Sequence, residues 1–319
     1  MTIRAIHYDA QGEDREVDLA DSKALRIDAK RLLWVDIVGR DPEELRRTAA
    51  AVGLEAEGLK RLSRADRRAR ILRLPERVVL TLGAVDPEDD EAHRRELDIV
   101  IGENHVITVH DDPLVAIDTF RKEVGHEEQL GRLDAASFTA GLIDAVFTVY
   151  FRQIERIERD IDALDELAVR ASRDDRFLAT VVTLRRRIAR LRRALAPNRE
   201  ALLPLERPDF ALRTELGEVW PGIVQRLERA IDGLENTREL LVGSFDLYLG
   251  RASQRTNDVM KVLTLVSAIA LPGIVLAGIM GMNFKLPFFD DANNFFVVVT
   301  AMAVFALGIV VFARWRRWI

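Results

Sequence analysis

The 319-residue sequence predicts an α/β N-terminal cytoplasmic domain, then a long stalk helix, then two C-terminal transmembrane helices. Three observations predict this. Over residues 1–110, short runs rich in Val and Ile alternate with turn-like or charged stretches, the pattern of a small sheet with helices on it. After Asp111 the apolar residues recur at spacings of three and four, the helical period. Two uncharged runs follow, Val262–Met282 of 21 residues and Phe295–Ala313 of 19. Each matches the about 20 apolar residues that a helix needs to cross a bilayer core. The divisions are therefore residues 1–130 (α/β), 131–261 (helical stalk region) and 262–319 (membrane hairpin with its loop and basic tail).

Leu32–Val38, Arg77–Val85, Glu96–Gly102 and His105–His110 read as strands, with Gly102-Glu103-Asn104 as a tight connection between the last two. Asp41 is placed to cap a helix that has Pro42 at its first position. A longer helix carries Phe147, Tyr150, Ile154, Ile157, Ile161, Leu164 and Ala168 on one face. Its other face carries Arg152, Glu155, Arg156, Glu158, Arg159 and Asp162. Leu184, Ile188, Leu191 and Leu195 continue the pattern to Pro197, and Pro204 and Pro208 mark a break. The last cytoplasmic helix begins near Pro221. Val224, Leu227, Ile231, Leu234, Leu241, Phe245 and Tyr248 form its apolar face, with Arg238 interrupting one slot. No proline intervenes before Pro272, so the helix runs on into the first uncharged segment. From Gly222 to Met282 it would span about 90 Å at a rise of ~1.5 Å per residue. A helix of that length needs partners, in its own chain or in other copies.

Composition excludes several classes. The net charge of −5 and the lack of a compact basic patch with interleaved aromatics argue against nucleic acid as a partner. With no cysteine there is no disulfide, thiolate metal site or cysteine nucleophile. The N-terminal MTIRAIHYDAQGED has no apolar core of signal-peptide length, so export by a cleaved signal is not expected. An enzyme is not expected either. The stretch HEEQL at His126 lacks the second histidine of a zinc peptidase, the Gly273–Gly278 spacing lacks the Lys-Ser/Thr of a phosphate loop, and no nucleophile–base set stands out.

Charge sets the topology. Arg251, Arg255 and Lys261 precede the first run. Arg314, Arg316 and Arg317 follow the second, interleaved with Trp315 and Trp318. The loop between carries only Lys285 against Asp290 and Asp291. Positive residues stay on the cytoplasmic side and Trp sits at the interface, so both termini are expected in the cytoplasm and the loop outside a plasma (inner) membrane. Two buried core helices would be the alternative, but two full-length uncharged runs in one hairpin are rare in soluble proteins.

A polar stripe continues into the first run. Asn257, Met260, Thr264, Ser267 and Leu271 step by three, four, three and four, so they share one face, with Leu263 and Ile274 beside them. Helix–helix packing and pore lining both fit this stripe. One hairpin cannot enclose a pore, so conduction requires several copies. Pro272 removes a backbone hydrogen bond that a hydroxyl such as Ser267 would partly compensate. Neither run contains Asp, Glu, His, Lys or Arg, which favours passive conduction over a proton relay through the bilayer.

The segment Asn257–Phe284, NDVMKVLTLVSAIALPGIVLAGIMGMNF, closely resembles the CorA family of divalent-cation channels. The likeness extends back through GSFDLYLGRASQRT and takes in LRRRIARLRRALAPNRE and the basic RWRRWI. Its specificity lies in Gly281-Met282-Asn283 directly after the uncharged run and twelve residues before the second. The resemblance implies a funnel-shaped homopentamer embedded in membrane lipids, with the first membrane helices lining the pore. It puts Gly281, Met282 and Asn283 at the outer mouth as a selectivity filter. It makes Asn257, Met260, Leu263, Leu271 and Ile274 pore-lining, with Thr264, Ser267 and Gly278 on the same stripe. The family imports Mg²⁺, some members also taking Co²⁺, Ni²⁺ or Zn²⁺, so the expected cargo is a divalent cation, Mg²⁺ first, which would also be the regulatory ion.

The chemistry of Asn283 suits that role. Mg²⁺ gives up water reluctantly and demands octahedral geometry. A ring of neutral amides can accept hydrogen bonds from its first-shell waters without stripping them. Asn283 as a helix C-cap is compatible with this. The sequence departs from the family where Met280 replaces the usual aromatic and where KLPFFDD replaces Met-Pro-Glu-Leu. Asp290 and Asp291 would supply the lost negative charge at the mouth, or form a solvated loop. The family's stalk partner for a regulatory cation falls on Gly222, leaving Asp86, Asp89 and Asp90 of DPEDDE as weak candidates against a solvated loop. Two other readings stay open. One is a Zn²⁺ transporter like the ZntB branch, proton-coupled or not. The other is a membrane-anchored binding or sensor module.

Overall fold

The computed structural model describes residues 2–9, 15–19, 31–64, 68–75, 77–124, 134–170, 175–206, 220–282 and 292–316. They form two compact units, Met1–Ser244 and Phe245–Ile319.

The first unit is built on a seven-stranded mixed sheet of order β2-β1-β3-β7-β6-β5-β4. The strands are β1 (Thr2–Asp9), β2 (Arg15–Glu16), β3 (Arg31–Val38), β4 (Arg70–Arg73), β5 (Val78–Ala84), β6 (Arg95–Ile101) and β7 (His105–His110). The four strands expected from Val/Ile runs are β3, β5, β6 and β7, the contiguous centre of the sheet. The edge strands β2 and β4, with β1 beside β2, went unread because their alternation carries charge, as in Arg70-Ile71-Leu72-Arg73. The parallel pair β3–β7 joins halves that are otherwise antiparallel.

Alternate residues of β3 serve two layers. Leu33, Val35 and Ile37 pack with Leu45 and Val52, from α1 (Pro42–Ala51) and its C-terminal end, and with Leu62 of α2 (Ala56–Leu62). Asp41 caps α1 as expected, its carboxylate accepting from the Glu43 and Glu44 amides at 3.0 and 3.1 Å. On the opposite face Trp34 meets Phe120 of α3 (Val115–Val124) and Phe138 of α4 (Ala135–Arg170), with ring centroids 6.0 and 5.4 Å apart. Asp36, next in that layer, accepts from Thr108, His110 and Arg121. Burial pushes its carboxyl up, but His110 and Thr108, with the Arg121 charge, outweigh that and hold it below the usual carboxylate range.

The β6–β7 turn is tight for a specific reason. A Cβ on Gly102 would lie 2.0 Å from Cε1 of His105, whose ring covers the glycine. Burial, helped by the Arg77 charge, pushes the His105 imidazole down to about 4. With the folded value below the ordinary 6.5, the fold holds fewer protons than the unfolded chain between those limits. Its contribution is complete above pH 6.5 and is lost as pH falls towards 4, by about 3 kcal/mol. Asp36, also depressed, adds a loss that begins as pH approaches its ordinary value of 3.8. Denaturant titrations followed by tryptophan fluorescence should show the first decline, and His105→Gln should flatten it. An equal decline in the variant would refute the assignment to His105.

Helices α4 and α5 (Asp175–Leu202) form an antiparallel pair that the first part of α6 (Trp220–Met280) joins. All seven apolar α4 positions expected from the spacing are buried. Helix α5 differs from expectation because it continues through Pro197. The next residue, fully buried Asn198, is clamped to Gly83: the Gly83 amide donates to Asn198 Oδ1 (2.7 Å) and Asn198 Nδ2 donates to the Gly83 carbonyl (3.0 Å). The β4 pairing stops at Thr81, so Asn198 takes over the β5 edge groups that β4 leaves unpaired.

On α6 the buried face is Ile223, Leu227, Ala230, Leu234, Thr237, Leu241 and Ser244. This is rotated slightly from the expected one. Val224, Ile231, Phe245 and Tyr248 are half-buried flanks. The slot assigned to Arg238 is filled by Thr237, and Arg238 is 65% exposed. Arg226 fixes α6 to α4 through Asp144 (2.6 Å) and the Thr148 hydroxyl (2.7 Å). Pro204 lies in a short 3₁₀ turn, Leu203–Glu206, after α5, and Pro208 lies outside the described residues.

The second unit is a helical hairpin of α6 from Phe245 onward and α7 (Ala292–Trp315). Both helices are long and apolar enough to cross a membrane. Helix α6 enters its uncharged run without a break, as the absence of proline between Pro221 and Pro272 requires.

Candidate functional site

Within the second unit, α6 has two faces. Leu265, Ile269, Pro272, Gly273 and Met280 are partly covered. They face α7, where a Cβ on Gly273 would lie 2.9 Å from Cε of Met302. At 100° per residue, the stripe of Asn257, Met260, Thr264, Ser267, Leu271, Ile274 and Gly278 falls on the opposite side, with Leu263 at its border. All eight are exposed, Leu271 at 65% and Ile274 at 67%. The stripe therefore does not serve the hairpin's own packing. It is an uncharged surface, half apolar (Met260, Leu263, Leu271 and Ile274) and half small or polar (Asn257, Thr264, Ser267 and Gly278), that one chain leaves open.

Its N-terminal end is polar. Asp258 accepts from Gln254 Nε2 (3.2 Å) and from Lys261 Nζ (3.1 Å), one turn before the uncharged run. Gln254, Asn257, Met260, Lys261 and Thr264 line an open depression of about 320 Å³. Sequence reading passed over Gln254 and Asp258, although Asp258 stands four residues after Gln254 and three before Lys261, the spacings at which helical side chains meet. The Thr264 hydroxyl donates to the Met260 carbonyl (2.8 Å). The compensation expected from Ser267 for Pro272 has no counterpart among the hydrogen bonds of the described residues.

At the other end α6 closes with the Gly281 amide donating to the Ala277 carbonyl (2.9 Å) and the Met282 amide to that of Ile279 (3.2 Å). Asn283, Lys285, Asp290 and Asp291 lie outside the described residues.

The acidic stretch Asp86–Glu91 connects β5 to β6 and is occupied with basic groups of its own chain. Asp86 faces Arg95 (3.5 Å), Asp90 faces Arg156 (2.8 Å) and Glu91 faces Arg190 (2.9 Å). Asp89 accepts from the Glu91 and His93 amides and lies 3.0 Å from the His93 ring. Burial pushes Asp89 up, yet these bonds hold it below the usual carboxylate range. No group of three or more His, Asp or Glu side chains able to hold a metal ion occurs among the described residues.

A family profile described as CorA-like Mg²⁺ transporter protein matches residues 29–316. The chain is 28% identical over 245 residues to the cobalt/magnesium transport protein CorA of Thermotoga maritima, covering 76% of this chain and 70% of that one. Among solved structures, it superposes on the complete CorA magnesium transporter from Methanocaldococcus jannaschii with a TM-score of 0.77 at 23% identity, over 100% of both chains. It also superposes on the full-length CmaX protein with a TM-score of 0.72 at 25% identity, over 98% of this chain and 97% of that one.

Proposed function

The chain belongs to the CorA family of divalent-cation transporters, and on that premise we propose that it carries Mg²⁺ inward across the plasma membrane as a homopentamer. The stripe on α6 lines the shared conduit. Gly281, Met282 and Asn283 form its outer mouth, where five amides receive the ion with its water shell, and Asp290 and Asp291 concentrate cations there. The observation that carries this reading is the open stripe, which turns away from α7 and runs without a charged residue from Val262 to Met282. Copies that bury those stripes around one axis would make an uncharged passage. A dication moving through it gains roughly 2 × 2.3 kcal/mol per 100 mV of inside-negative potential, so accumulation needs no proton gradient.

The test is ion flux into liposomes holding the purified protein, comparing Mg²⁺, Co²⁺, Ni²⁺ and Zn²⁺ with and without a pH gradient. Mg²⁺ entry that follows the membrane potential and ignores the pH gradient is expected. Flux that needs the pH gradient and prefers Zn²⁺ would favour the proton-coupled alternative. No flux of any ion would leave a membrane-anchored binding module.

The bulky apolar members of the stripe, Met260, Leu263 and Leu271, act as constrictions that gate by dewetting. Leu271→Asn should wet one of them and raise basal flux about tenfold, the effect of ~1.4 kcal/mol removed from the barrier. Unchanged flux would move the gate elsewhere on the stripe.

A further inference from the structure

Helix α5 turns a basic face outward, and α4 a mixed face that contains an acidic strip. Helix α5 carries eight arginines against Asp175 and Glu200. Arg185, Arg192 and Arg199 repeat at intervals of seven, and so do Arg186 and Arg193. Between these two rows runs a seam of Val182, Ala189 and Ala196, also seven apart, and all three are exposed. Arg192 and Arg199 are partly neutralised by Glu235 and Glu228 of α6 (2.9 and 2.7 Å). Arg185, Arg186 and Arg193 face no acidic side chain among the described residues.

The outward face of α4 carries an acidic strip of the same geometry, with the exposed Arg152 and Arg159 along one margin. Glu155, Asp162 and Val169 are seven apart and exposed, with half-buried Glu158 beside them. Glu155, Glu158 and Asp162 have no ion-pair partner among the described residues.

We propose that the basic outward face of α5 docks on the acidic strip of α4 in a second copy of this chain. A narrow seam of small residues lets a partner helix approach, and flanking charges select it, as they do at the e and g positions of coiled coils. The two faces differ, so the contact is heterologous, and repeated copies close into a ring if the rotation permits. The inference rests on the reading that copies surround a shared axis, and it names a cytoplasmic surface that holds them. An acidic partner helix fits better than an anionic bilayer, because the acidic α4 strip on the same helix pair would be repelled by one.

The chain's lack of cysteine makes the test direct. In the full-length protein in detergent, Ala189→Cys is combined in turn with Glu155→Cys, Asp162→Cys and Val169→Cys, then oxidised. The two faces point away from each other within one chain, so only neighbouring copies can be linked. At least one pair should give a ladder of covalent oligomers, and each single-cysteine variant should give none. Adding Arg185→Glu, Arg186→Glu and Arg193→Glu should cut the linked fraction at least tenfold at low salt. Adding Glu158→Lys, with Glu155→Lys or Asp162→Lys wherever that position is not the cysteine, should restore it. Assembly without any ladder, or a ladder indifferent to the charge reversals, overturns the proposal while leaving the pore reading intact. So does the absence of a ladder together with α5-dependent binding to phosphatidylglycerol vesicles, which would make the membrane the occupant.

Discussion

Asn283→Ala is expected to reduce Mg²⁺ flux by on the order of 100-fold or more in liposomes, with the oligomer intact. The reason is the number of identical contacts. In the proposed pentamer each amide oxygen would offer the hydrated ion a hydrogen bond worth about 1 kcal/mol net, and five such bonds would act at one point on the axis. Alanine leaves the methyl-lined mouth unable to recognise ordered water. The ion must then cross a poorly solvated stretch or strip its shell, and Mg²⁺ resists stripping more than the larger divalent cations do. The variant should therefore lose preference among cations together with rate. Asn283→Gln, which keeps the amide but displaces it, should retain part of the flux. Flux in the alanine variant equal to that of the parent, in protein shown to be assembled, would end the filter assignment.

Gly83→Ala should be the most damaging small substitution in the first unit, Met1–Ser244. A Cβ at this position would lie 2.6 Å from the Ala194 carbonyl and 2.7 Å from Nε of Arg94. The Gly83 backbone is also the place where three elements meet. Asn198 of α5 bonds both its amide and its carbonyl, and the fully buried Tyr150 hydroxyl of α4 donates to the same carbonyl at 2.8 Å. Burial pushes the Tyr150 phenol beyond the ordinary tyrosine range, so it donates at any working pH. Making room for one methyl group requires α5 to withdraw, which strains or breaks those bonds in a dry interface. Overpacking and unsatisfied buried groups together predict a loss of about 3 kcal/mol or more. For a unit of this size that lowers the melting transition by about 10 °C. Gly243→Ala is the control. A Cβ there meets nothing within 4 Å in the chain, so a mid-helix alanine should be neutral or stabilising. Equal melting of the two variants would show that α5 gives way more easily than its packing implies.

The strands that sequence reading found are those buried on both faces, where the apolar run is nearly continuous: β5, β6 and β7 are buried at almost every position. Those it missed are the two edge strands, β2 and β4, and β1 next to β2. They pair with strands close by in the chain, β2 with β1 and β4 with β5, but charged residues break their apolar runs, so local composition says little about them. Pro197 teaches the same lesson in a helix. The local rule ends a helix at proline, yet the paired hydrogen bonds of Asn198 to Gly83 hold the next turn in place. The acidic stretch Asp86–Glu91 pairs with arginines of β6, α4 and α5, and the last two are too remote in sequence for any spacing rule to reveal.

By itself the sequence determined the membrane hairpin, the unbroken entry of α6 into it, and the residues that share the stripe. Each of these follows from hydropathy, from the absence of proline and from the helical period, all of which are local properties. Tertiary structure alone decided that the stripe turns away from α7, that Gly83 admits no side chain, and which carboxylates are already paired. Those depend on which surfaces meet across long separations, and no spacing rule encodes them.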